Sequence, residues 1–108
     1  MSKPISLRAL TTILVQEGVC VRAFDAREYN KGINGKGNKH LFTDGYSMGD
    51  ETYGKDSRVY LGTPSKERRA ALESALERKG VALNRSYGSG GSTLEIRVTY
   101  FKGFHWNE

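Results

Sequence analysis

The chain is short of the residues that staple small proteins or hold cofactors. It has one cysteine in 108 residues, so no intrachain disulfide can form, and no Cys-x-x-Cys pair is present for zinc or redox work. The fold must therefore rest on its core. Histidine is equally scarce: His40 and His105 are far apart in sequence, neither His-x-x-x-His nor His-Glu-x-x-His spacing occurs, and no nucleophile elbow is present. No metal, cofactor or catalytic residue is assigned on these grounds. Long hydrophobic runs are also missing. The apolar N-terminal positions Leu10 and Ile13-Leu14-Val15 are broken by Arg8, Thr11, Thr12 and Gln16, too short and too polar for a signal or a spanning helix. No membrane partner is expected, and the expected location is cytoplasmic.

What is present points to one folded, basic domain over residues 1–108. A chain of this length buries about 60–70% of the surface its unfolded form exposes, enough for a single core. Hydrophobic residues make up 37% and charged residues 27%, with 13 Gly and 2 Pro, which excludes a disordered polyelectrolyte. Lys and Arg number 17 against 12 Asp and Glu, a net charge of +5 with most of the excess after Gly54. That sign favours polyanionic partners through long-range attraction and counterion release. Cys20, in the apolar run Val19-Cys20-Val21, reads as a buried, inert thiol.

Two helix signals stand out. Ser6 is placed to cap a helix running to about residue 17, with Leu7, Leu10 and Leu14 on one face and Gly18 to end it. Thr63 and Pro64 read as the cap and first position of a second helix over residues 65–79, with Leu72, Ala75 and Leu76 as its apolar stripe and Gly80 as its stop. The two segments align at an offset of 62: Ala9 with Ala71, Leu10 with Leu72, Leu14 with Leu76, Gly18 with Gly80, Val19 with Val81. Strands are expected over 19–25 and 58–61 in the first unit, and over 81–87 and 92–101 in the second, where Leu94, Ile96, Val98 and Tyr100 alternate with polar residues. The expected fold is α+β: a two-layer sandwich of two helices on one face of a mostly antiparallel sheet, built from tandem helix-strand-strand units. Its outer face would carry Glu95, Arg97, Thr99 and Phe101. A homodimer through the strand over 92–101 is expected if that strand is an exposed edge.

The first unit carries a long Gly-rich insertion, about residues 26–57, where the second has a four-residue turn. Connections beyond about 12–15 residues tend to be functional, disordered or structured in their own right. Within it, 41–43 and 46–48 around Asp44-Gly45 fit a tight hairpin. Lys31, Lys36 and Lys39, among Gly32, Gly35 and Gly37, read as a flexible basic arm ending at His40. The stretch Gly49-Asp50-Glu51-Thr52-Tyr53-Gly54-Lys55-Asp56 nearly matches a phosphate loop, but Asp56 replaces the hydroxyl residue and no helix pattern succeeds it, so it reads as a polar turn.

At the other end, Phe101, Phe104 and Trp106 stand near Arg97 and Lys102, an arrangement that could stack on bases while contacting phosphate. The resulting expectation is a small non-enzymatic nucleic-acid-binding domain using Lys31, Lys36, Lys39, His40, Arg97, Phe101, Lys102, Phe104 and Trp106. Aromatics and Arg also dominate protein interfaces, so the alternative is a protein-binding regulator or inhibitor of a host enzyme, of the kind phages and other mobile elements encode. A third reading pairs His40 with Glu28 or Lys39 as a ribonuclease-like acid and base.

Overall fold

A computed structural model describes residues 4–33, 39–53, 56–84 and 91–101. Its elements are α1 (Leu7–Gln16), α2 (Ala26–Ile33), a 3-10 turn (Lys39–Leu41), β1 (Ser47–Tyr53), β2 (Asp56–Gly62), α3 (Lys66–Arg78), β3 (Leu83–Asn84) and β4 (Thr93–Val98). The strands form one sheet in the order β1-β2-β4-β3, antiparallel throughout. The fold class is therefore α+β.

α1 and α3 end in the same way. After α1, Gly18 takes φ +77°, its amide donates to Val15 O at 3.1 Å, and the Val19 amide donates to Leu14 O at 2.8 Å. After α3, Gly80 takes φ +78°, its amide donates to Glu77 O at 3.0 Å, and the Val81 amide donates to Leu76 O at 3.1 Å. Both are Schellman caps, which require a positive φ at the residue that glycine occupies, and every partner recurs at the offset of 62. The start of α3 lies two residues beyond the expected position. Ser65, not Thr63, is the cap, its hydroxyl accepting from the Arg68 amide at 3.0 Å. Thr63 is held extended because its amide and hydroxyl both donate to Ser92 O, at 2.9 and 2.7 Å, prolonging the β2-β4 pairing by a residue.

Beyond the caps the two units diverge. In the second unit Leu83 pairs with Ile96 and the Arg97 amide donates to Ala82 O at 3.0 Å, so the chain enters the sheet as expected. In the first, the expected strand over 19–25 is reduced to one antiparallel bridge between Cys20 and Phe42. Thr11 accounts for the diversion. Fully buried on α1, its hydroxyl donates to Phe24 O at 2.8 Å and accepts from the Phe24 amide at 3.0 Å, turning the chain back across the helix. The aligned position in α3 is Glu73, which instead pairs with Arg69.

The insertion contains more regular structure than a flexible arm. Asp25 caps α2, its carboxylate accepting from the Glu28 amide at 3.0 Å, and β1 pairs with β2 over its full length. Gly49 to Tyr53 thus belong to a strand, not to a polar turn or a phosphate loop. Asp44-Gly45 does form a turn, with Gly45 at φ +92° and the Tyr46 amide donating to Thr43 O at 3.2 Å. Its arms do not pair with each other as a hairpin: Phe42 bridges to Cys20, while Ser47 and Met48 pair with Gly62 and Leu61.

Register fixes the two faces of the sheet. Val59 and Leu61 lie opposite Ile96 and Leu94, and all four join Leu7, Leu10, Leu14, Phe24, Tyr29, Leu72 and Leu76 in one buried cluster. The intervening positions Glu51, Arg58, Tyr60, Glu95 and Arg97 share the opposite face. β4 lies between β2 and β3, so the strand expected to offer a dimer edge is internal.

Candidate functional site

Among the described residues, the loop from Lys39 to Ser47 is a surface segment held by several hydrogen bonds to its neighbours. Leu41 and Phe42 anchor it because they are the apolar residues of an otherwise polar stretch and both are buried. Backbone bonds from Val21 N to Leu41 O and from Thr43 N to Val19 O, both 2.9 Å, fasten it beside the α1 cap. The Thr43 hydroxyl donates to Gly18 O at 2.7 Å. On the α3 side, Arg68 donates through Nε to the Tyr46 hydroxyl and through Nη2 to Glu17 O at 2.5 Å, with its guanidinium 5.9 Å from the Tyr46 ring centre. A cation at the C-terminal end of α1 also opposes that helix's dipole. Gly45 lies against Pro64, where a side chain would start 3.1 Å from the proline Cβ. The loop is thus tied to α1 and α3 and borders a concavity of about 470 Å³ lined by Lys39, Phe42, Thr43, Asp44, Gly45, Tyr46 and Ser47.

Of the residues singled out from the sequence, Lys39 and His40 are neighbours in this loop and both are exposed. Lys31 lies in the last turn of α2. Arg97 is half-buried on the outer sheet face, opposite Arg58. That face is a balanced polar array, in which the Tyr60 hydroxyl donates to Glu51 Oε1 at 2.5 Å and Arg58 pairs with Glu95 at 3.3 Å. Glu95, expected to be exposed, is 2% exposed. Lys36, Lys102, Phe104 and Trp106 lie outside the described residues.

Phe101 requires correction as a stacking residue. It is in the core, its ring 6.0 Å from that of Tyr29 and perpendicular to it, while Tyr100 is 56% exposed. The inside-outside alternation that holds through Leu94, Ile96 and Val98 slips by one residue beyond β4. The cause is Ser57, whose hydroxyl accepts from the Phe101 amide at 3.0 Å and donates to its carbonyl at 3.1 Å, drawing Phe101 inward.

Glu28 is engaged by Arg22 at 2.9 Å, which lowers its carboxyl from the ordinary range through that hydrogen bond. The core holds one acid that sequence reading missed. Asp50, on the inward face of β1 beside Met48, is 1% exposed and accepts from the Tyr29 hydroxyl at 2.7 Å. Burial, then the hydrogen bond and charge of Asp50, push Tyr29 well above the ordinary phenol range. Burial pushes the Cys20 thiol up to about 12, the opposite of what a nucleophile needs. Among the described residues no cluster of His, Cys, Asp and Glu is arranged to hold a metal, and no helix is long and apolar enough to cross a membrane.

No protein-family model, curated protein or solved structure matches this chain.

Proposed function

We propose that this protein is a small, cytoplasmic, non-enzymatic binding domain that contacts nucleic acid through the loop from Lys39 to Ser47 and the basic stretch leading into it. The observation that carries the reading is the placement of exposed Lys39 and His40 on a loop that is fastened to two helices and borders a concavity. Lys31 and Lys36 precede them in a chain of net charge +5. Phosphate is attracted by such a cluster, and a fastened loop loses little freedom when it binds. On this reading α1 and α3 form one layer over the inward face of the sheet, and the balanced outer face contributes little to binding.

Fluorescence anisotropy with labelled single-stranded and duplex oligonucleotides tests the proposal. Affinity should fall about tenfold or more between 50 and 200 mM salt if three or four phosphates are contacted, and reversing Lys36 and Lys39 to Glu should flatten that dependence. Binding unaffected by the double reversal would remove the loop from the interface.

The second reading, a protein-binding regulator, draws on Val21. Val21 is 59% exposed, and its amide donates to the Leu41 carbonyl beside His40. Recovery of one host protein at near-equal amount after nuclease treatment would favour it.

A further inference from the structure

We propose that the concavity bordered by Lys39, Asp44 and Tyr46 is a base pocket that takes one unpaired guanine. The inference rests on the nucleic-acid reading and specifies what the same site selects. Its volume, about 470 Å³, is enough to take one nucleotide. Among the described residues its two charged lining residues, Lys39 and Asp44, differ in sign. A strand entering it must bring phosphate towards Lys39 and keep phosphate away from Asp44, so Asp44 is left to meet the base.

A carboxylate only accepts hydrogen bonds. It therefore favours a base edge with adjacent donors and repels one that presents carbonyl oxygens. Guanine alone carries two neighbouring donors, its N1–H and its 2-amino group. Adenine and cytosine set an amino group beside a ring acceptor, and uracil and thymine flank one imino group with two carbonyls. In a duplex both guanine donors are taken by cytosine, so an unpaired base is required.

Tyr46 supplies the stacking surface. Its hydroxyl is held by Arg68 and its ring lies beside the same guanidinium, which fixes the ring before any ligand arrives. The turn that presents Asp44 is held by the Thr43 hydroxyl on Gly18 and by the contact of Gly45 with Pro64. Acceptor and ring are thus preorganised on the same loop.

The test uses the full chain and single-stranded uridine oligomers carrying one guanine, inosine, adenine or no replacement. Inosine keeps N1–H and lacks the 2-amino group. Guanine should bind about tenfold more tightly than inosine or adenine. Asp44→Asn should erase that preference while binding to the strand persists, and Tyr46→Ala should weaken every oligomer by about tenfold. Equal affinity for all four oligomers overturns the guanine pocket and leaves the nucleic-acid reading standing. Absence of binding to any of them overturns the guanine pocket, and absence of binding to duplex as well overturns the nucleic-acid reading. Because the oligomer series needs only the unaltered protein, the inference stays falsifiable even if a variant fails to fold.

Discussion

α1 and α3 are two copies of one local solution set in different surroundings. Both have a serine cap, a leucine stripe and a glycine in the left-handed region, and both close with the same pair of backbone hydrogen bonds. Beyond the cap they part. One chain segment joins the sheet beside β4, while the other is caught by Thr11 and bridges to Phe42. Helix termination is decided by residues within about one turn, so it recurs wherever the same residues recur. Strand pairing depends on partners far along the chain: after α1 the segment is held by the Thr11 hydroxyl and by Leu41 to Thr43, whereas after α3 it meets β4.

The largest effect should come from truncating the matched leucines. Leu14 and Leu76 are both fully buried, and replacing either by Ala should cost about 2–5 kcal/mol, read from urea unfolding. Similar losses would place both helices in one cooperative core. A much smaller loss for Leu14→Ala would mean that the first unit opens separately.

Tyr29 has no counterpart in the second unit, because it arises from the insertion. Tyr29→Phe removes a hydrogen bond to buried Asp50 and should cost about 1–3 kcal/mol. The pH dependence has a definite sign. Tyr29 and Cys20 are both held above their ordinary values of 10.0 and 9.0, so the unfolded chain releases these protons first. Their contribution is complete below about pH 9 and declines as pH rises further. Unfolding measured from pH 8 to 12 should show falling stability in the parent protein and a shallower fall in Tyr29→Phe.

The caps offer a finer comparison. Gly18→Ala and Gly80→Ala should each cost about 1–2 kcal/mol through backbone strain. A methyl group at Gly80 meets nothing within 4 Å and one at Gly18 only the tip of Arg68 at 4.0 Å, so the two losses should agree closely. Smaller still, Ser6→Ala and Ser65→Ala should each cost about 1 kcal/mol in thermal unfolding. A clear inequality there would expose differences in how the two helix starts are supported.

The parts legible in the sequence were those governed by short-range rules: the two helix ends, the leucine stripes, and the alternation of β4. α2 was legible too, since Asp25 three residues before Glu28 is a helix-start signature, but the surrounding glycines and lysines suggested an arm. β1 was obscured because its inward positions include Asp50, and a buried acid breaks the apolar alternation that marks a strand. At the candidate site, Lys39 and His40 could be named from charge and position. The contributions of Tyr46 and Arg68 could not, because one lies in a turn and the other in a helix, and only the tertiary structure joins them.

The central position of β4 also bears on how the molecule comes into being. β1 precedes β2 in the chain, so β2 can pair on one side as soon as it is itself made, but its other edge waits for residues 93–98. On a ribosome, Val59 and Leu61 therefore emerge well before Leu94 and Ile96 can cover them. The hairpin of β1 and β2 should persist as a partly formed intermediate with an adhesive edge until β4 arrives, so slowing translation between the two would raise aggregation more than slowing it after β4.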